Sequence, residues 1–238
     1  MKHNLIVRAG LIACLALQHI AASAGDYTKT ILPFNGKDLS GWRLVGASTN
    51  QWQVGNAVLD PADLSRLKVA GPGDELISAQ LAANLVTEAS FGDCRVELEF
   101  LIAKNSNSGV KMMSIYEIQI LDSFGKKVPD YRDSGAVYGE QAPIVNAAKP
   151  PGEWQTLVID FLAPRFDSNG KKTANAKFVK VTLNGQVVQE NVEIAHGTNV
   201  ARKAPEHAFA PLYLQGDHGP VAFRNLKIFV PEGSVGDH

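Results

Sequence analysis

Two short segments carry side chains that could move protons. In Tyr116-Glu117-Ile118-Gln119-Ile120-Leu121-Asp122, strict alternation sends Tyr116, Ile118 and Ile120 to one side and Glu117 and Gln119 to the other. That is the pattern of a strand with one apolar and one polar face. Asp122 is out of phase, but a one-residue bulge near Leu121 would return it to the polar face. Two carboxylates would then flank a cleft, as general acid and base catalysis requires. A solvated outer face with Asp122 as a turn residue fits the same spacing. In Leu214-Gln215-Gly216-Asp217-His218-Gly219-Pro220, two glycines and a proline hold an Asp-His pair at a strand end. Histidine titrates near neutral pH and shuttles protons there. A tight hairpin joining residues 211–215 to 221–230 would use the same glycines without any function.

Other candidates are weaker. Lys149 and Trp154 sit in a loop stiffened by Pro150 and Pro151, which would hold a cation and an aromatic ring near whatever the sheet binds. Arg224 interrupts the apolar run 221–228, and an inward-leaning arginine needs an acidic partner or an anionic ligand. No cysteine pair, His pair at ligand spacing or full calcium loop is present; Asp167-Ser168-Asn169-Gly170 reads as a turn. Glu117, Asp122, Asp217 and His218 could still converge on a divalent cation. Ser108 lacks the context of a nucleophile elbow.

These residues must be positioned by strands. Period-2 runs recur at 94–102, 109–113, 115–121, 154–162, 178–183, 186–192, 211–215 and 221–230, rich in Val, Ile, Phe and Tyr. Asn184-Gly185 separates two of them and suits a type I′ turn. Only residues 79–88 suggest a short helix. The expectation is an all-β, antiparallel two-sheet sandwich or jelly roll. Its long irregular stretches, 123–133, 141–152 and 196–210, exceed ordinary hairpin loops, and loops of that length tend to be functional.

The 238 residues are 45% apolar and 20% charged, enough for a large core. With 23 Lys and Arg against 24 Asp and Glu there is no basic excess for nucleic acid. Lys2 and Arg8, the apolar run 9–17 and Ala22-Ser23-Ala24 read as a secretory signal peptide over residues 1–24, and the apolar run is too short to span a membrane as a permanent helix. Residues 25–238 then form one secreted or periplasmic domain. A lipid anchor at Cys14 is the competing reading, disfavoured because Arg8 interrupts the apolar stretch. Once Cys14 is removed, Cys94 has no disulfide partner and reads as a buried small hydrophobe.

Six segments, taken in order, resemble the 3-keto-disaccharide hydrolase family: 34–42 (Phe-Asn-Gly-Lys-Asp-Leu-Ser-Gly-Trp), Asn107-Ser108-Gly109-Val110, 116–122, Gly135-Ala136-Val137-Tyr138-Gly139, Lys149-Pro150-Pro151-Gly152-Glu153-Trp154 and 214–219. The resemblance spans about residues 30 to 230 and implies a concanavalin-like jelly roll similar to glycoside hydrolase family 16. It also implies cleavage of 3-keto-glycosides: the ketone acidifies the C2 proton, a base removes it, and the C1 substituent leaves by elimination. On that basis Glu117 or His218 would be base or acid, with Asp122 beside them. Lys149, Arg224 or a cation would stabilise the enolate, and Asn107, Gln119, Tyr138, Gln215 and Asp217 would orient the sugar. Two alternatives stay open. One is retaining hydrolysis of the family-16 type, whose Glu, Asp and Glu correspond to Glu117, Gln119 and Asp122 here. The other is a non-catalytic carbohydrate-binding module in which Trp42, Trp52 and Tyr138 stack on sugar rings.

Overall fold

A computed structural model describes residues 27–46 and 49–236. The proposed leader and Cys14 lie outside the described residues.

The first part of the chain forms β1 (Lys29–Ile31), β2 (Trp42–Val45), β3 (Trp52–Gly55), β4 (Ala57–Leu59), β5 (Leu67–Val69) and β6 (Glu75–Ser78). The middle forms β7 (Asn84–Phe91), β8 (Cys94–Ile102), β9 (Asn107–Met112), β10 (Tyr116–Leu121), β11 (Gln155–Leu162) and β12 (Arg165–Phe166). The last part forms β13 (Lys172–Ala174), β14 (Ala176–Leu183), β15 (Gln186–Ile194), β16 (Ala210–Leu214), β17 (Val221–Val230) and β18 (Val235–Gly236), with one 3-10 turn at Asn199–Lys203.

Antiparallel pairing assembles two main sheets. The larger runs β15-β14-β11-β8-β17-β6-β3, with β1 also on β17; the smaller runs β10-β9-β16-β7-β18, with β2 also on β7. The chain crosses repeatedly between them, which makes the fold an antiparallel two-sheet jelly roll. Alternation decides what fills the space between the sheets. Val96, Leu98, Phe100 and Ile102 of β8 and Tyr116, Ile118 and Ile120 of β10 are buried in one core with Phe178, Leu214 and Phe223. Fully burying an aliphatic or aromatic side chain of this size is worth about 1.5–3 kcal/mol, so this face holds each strand in register. The β4–β5 hairpin covers a smaller apolar cluster around Ile77, Leu101 and Ala222.

Asn184 and Gly185 take φ of 51° and 78°, the positive pair that a type I′ turn needs between β14 and β15. Three expectations fail. Residues 79–88 are not helical: β7 begins at Asn84, and Leu85, Val86 and Thr87 are all buried because the strand is covered on both faces. A short continuous apolar run does not distinguish such a strand from a helix. Residues 211–230 are not a hairpin, since β16 lies in the small sheet and β17 in the large one. Segment 215–220 is therefore a crossover. Trp42 and Trp52 are only 6% and 8% exposed, and the indole N–H of Trp52 donates to the Ala83 carbonyl at 2.6 Å, so both belong to the core and not to a sugar platform.

Candidate active site

The polar face of the small sheet carries the site. Cα pairing sets Glu117 of β10 against Lys111 of β9, Lys111 against Tyr213 of β16, and Tyr213 against Val86 of β7. These residues form one row across the sheet. In the next row Gln119 pairs with Gly109, whose carbonyl accepts the Gln215 N–H at 3.0 Å. Each strand buries its odd or even set in the core and leaves the other set here.

Within this row the Lys111 ammonium lies 3.2 Å from the Glu117 carboxylate and 4.9 Å from the centre of the Tyr213 ring. Gly109 makes the arrangement possible. A Cβ at this position would stand 2.3 Å from Glu117 Oε1, so the carboxylate occupies space that any other residue would fill. Gln119 donates to Asn107 Oδ1 at 3.3 Å.

Two loops wall the cleft. Residues 135–138 extend the sheet beyond β10: Gly135 N–H donates to the Gln119 carbonyl at 2.8 Å and Tyr138 N–H to the Glu117 carbonyl at 3.1 Å. This covers an otherwise open edge and places Tyr138 beside Glu117. Thr198 accepts the Glu117 N–H at 3.1 Å and donates to the Ile115 carbonyl at 3.0 Å, which brings Asn199 and Val200 to the rim.

From the opposite side comes the 215–220 crossover. Gly216 and Gly219 have no positive φ and serve close approach instead: a Cβ on Gly216 would meet the Ala83 carbonyl and Trp52 at 2.7 Å, and one on Gly219 would meet Ser106 Oγ at 2.6 Å. Between them Asp217 accepts from Asn84 Nδ2 at 2.8 Å and pairs with His218 Nδ1 at 2.5 Å. That pairing leaves Nε2 of the exposed imidazole available to a bound molecule.

The resulting cleft has a volume of about 240 Å³. Asn107, Glu117, Gln119, Tyr138, Gln215, Asp217 and His218 all line it, as their sequence positions suggested. Lys111, Tyr213, Asn199 and Val200 line it as well. Lys111 and Tyr213 escaped the sequence reading because single polar residues in alternating strands look like ordinary solvent-facing positions; only the register places them beside Glu117.

Burial raises the pKa of Glu117 above its ordinary value, against the opposing pull of Lys111 and His218. Burial also raises Tyr213, helped by the charges of Asp217 and Glu117. Asp217 moves the other way: burial pushes it up, but hydrogen bonds from Asn84 and His218 outweigh burial and hold it below its usual value. A buried carboxyl with a raised pKa next to a hydrogen-bonded Asp-His pair is an acid-base arrangement. The Gln215 side-chain oxygen is buried without a hydrogen-bond partner among the described residues.

Three candidates fall elsewhere. The β9–β10 ladder runs unbroken from Tyr116 with Met112 to Leu121 with Asn107, so no bulge turns Asp122 toward the cleft. Asp122 instead accepts the Asn105 N–H at 2.8 Å and fixes a turn in which Asn105 has a φ of 59°. Lys149 donates to the Trp154 carbonyl at 3.2 Å and acts on Glu99 of the large sheet. Arg224 lies on that sheet's outer face, paired with Glu75 at 3.1 Å and Glu99 at 2.8 Å and stacked 4.0 Å over the Trp154 ring. Its acidic partners are thus protein carboxylates. Without Asp122 the four-residue cation set does not converge, and among the described residues no group of three or more His, Cys, Asp or Glu side chains is placed to hold a metal ion. Ser108 donates to the Gln215 carbonyl, and Cys94 is buried, its thiol pushed up by burial.

The sequence matches the 3-keto-alpha-glucoside-1,2-lyase-like domain over residues 29–229. The chain belongs to this family. A candidate glycosyl hydrolase of Parabacteroides distasonis is similar in structure, with 25% identity, coverage of 86% of this chain and 84% of the other, and a TM-score of 0.67. A second from the same organism shares the fold at 18% identity and a TM-score of 0.55, covering 85% and 94% of the two chains. No curated protein matches the sequence. Family and fold together place this lyase-like domain among carbohydrate-active enzymes. No helix among the described residues is long and apolar enough to cross a membrane.

Proposed function

We propose that this protein is an exported enzyme that cleaves the glycosidic bond of 3-keto-glycosides or 3-keto-disaccharides by elimination. The observation that carries this reading is a buried carboxyl, Glu117, facing an Asp217–His218 pair across a sugar-sized polar cleft in a chain of this family. The C3 ketone acidifies the C2 proton. Glu117 in its ionised form takes that proton, and the electron pair moves through C2–C3 onto the ketone oxygen. As the ketone re-forms, a C1–C2 double bond forms and the C1–O bond breaks. His218, oriented by Asp217, gives its Nε2 proton to the departing oxygen. Water then adds to C1 and a proton returns to C2, so the net change is hydrolysis. Asn107, Gln119 and Gln215 supply amide donors and acceptors for the sugar hydroxyls, and Tyr138 forms a side wall.

Retaining hydrolysis of the family-16 type loses the carboxylate that its pattern puts at Asp122, which is outside the cleft, and Gln119 cannot ionise. The binding-module reading loses two of its three stacking rings, because Trp42 and Trp52 are core and only Tyr138 lines the cleft.

The test is aglycone release from a chromogenic glucoside and from its 3-keto derivative, each with and without chelator. Release from the ketone alone is expected. Release from both at equal rates would overturn elimination in favour of direct hydrolysis. Loss of release with chelator would add a divalent cation to the site.

A further inference from the structure

Elimination leaves one charge unassigned: when C2 is deprotonated, a full negative charge develops on the C3 oxygen. Removing a single preorganised group from such an oxygen typically costs about 10²–10³-fold in rate. The two cations first considered, Lys149 and Arg224, are both committed to the large sheet.

Within the cleft Lys111 is the one Lys or Arg among the lining residues. Its side chain is 14% exposed, and its ammonium is held between the Glu117 carboxylate and the Tyr213 ring, with no other hydrogen-bonding side chain on it among the described residues. An ammonium has three N–H donors. One serves Glu117, one points over the ring, and the geometry leaves a donor for a substrate oxygen.

Resting on the elimination reading, we propose that Lys111 is a catalytic residue that binds the C3 oxygen and stabilises the enolate. Proton transfer from C2 to Glu117 neutralises the carboxylate while the C3 oxygen becomes anionic, so the negative charge shifts from one neighbour of Lys111 to the other. The ammonium has a counter-charge before and after the step, and the buried cleft never holds an unpaired ion. Tyr213 fixes the lysine from behind through its ring face, which tolerates a cation without competing for its donors. The same register that pairs β10 with β9 and β9 with β16 is what brings the base, the cation and the ring into line.

The test uses the full chain and two substrates, 3-keto-nitrophenyl glucoside and 3-keto methyl glucoside. Lys111→Met is expected to lower kcat on the first about 100-fold or more with KM within a few-fold. With the second, whose leaving group is poor, solvent deuterium wash-in at C2 is expected to slow in the same proportion. Lys111→Gln, which keeps a donor for Glu117, should show the same loss if Lys111→Met does not fold, and Lys111→Arg should retain part of the rate. Turnover of Lys111→Met or Lys111→Gln within threefold of wild type, or undiminished C2 exchange, would overturn the assignment while leaving elimination intact. Absence of wild-type turnover on both ketones would instead overturn elimination itself, and is read before any variant is made.

Discussion

Replacing Gly109 by alanine isolates the geometry of the base from its chemistry. The new methyl would stand 2.3 Å from Glu117 Oε1, 3.0 Å from its carboxyl carbon and 3.1 Å from Cγ, whereas real contacts of this kind essentially never fall below 3.0 Å. The carboxylate must therefore retreat by about 0.7–1 Å. The backbone raises no objection, since Gly109 has no positive φ and alanine in a strand gains about 0.5–1 kcal/mol over glycine. Crowding a filled site costs about 1–3 kcal/mol, so the net loss of stability should be about 0–2.5 kcal/mol, a few degrees in Tm for a domain of this size. Catalysis should suffer far more, because a displacement of about 1 Å in a reacting group can cost about 100-fold. Expected on the 3-keto glucoside is a fall in kcat of about 10- to 100-fold, KM nearly unchanged, and an altered acid limb of the pH profile as Glu117 leaves Lys111. Wild-type kcat in a folded Gly109→Ala protein would refute the placement of Glu117 over β9 as the working geometry.

Further outcomes test the remaining parts. Glu117→Gln should lower turnover of the ketone by about 10²–10⁴-fold while sugar affinity, measured calorimetrically, stays within a few-fold. His218→Ala should be mild with a nitrophenolate leaving group and severe with an alkyl alcohol, because only the second needs protonation; equal losses would remove His218 from the acid role. In the pH profile of kcat/KM, activity requires ionised Glu117, so it should fall as pH drops through a pKa lying above the ordinary carboxylate range, where burial has placed it. Arg224→Ala should leave kcat/KM within twofold yet lower stability by about 1–3 kcal/mol in urea unfolding, since buried Glu75 loses a charged partner.

The polar alternation of residues 116–121 determined by itself that Glu117 and Gln119 share a face opposite Tyr116, Ile118 and Ile120, because period 2 is a property of the extended backbone and needs no partner strand. The strand pattern of residues 94–102 and 221–230, the Asn184-Gly185 turn and the burial of Cys94 were legible for the same reason: each rests on local stereochemistry or on a hydrophobic face. The short strands β1 to β6 were not, since three or four residues carry too little periodicity. What only the tertiary structure decided is which polar residues meet. Asp122, one residue beyond a legible strand, depended on whether a bulge formed, and the unbroken ladder turned it away. Lys149 and Arg224 belong to segments that resemble or adjoin family motifs, yet the crossing of the chain between sheets set them on the far side of the sandwich. Lys111 and Tyr213 drew no notice in sequence, and register alone put them beside Glu117. Local patterns dictate the face a side chain takes; neighbours across strands depend on pairings between residues far apart in the chain, and those are selected by the whole core at once.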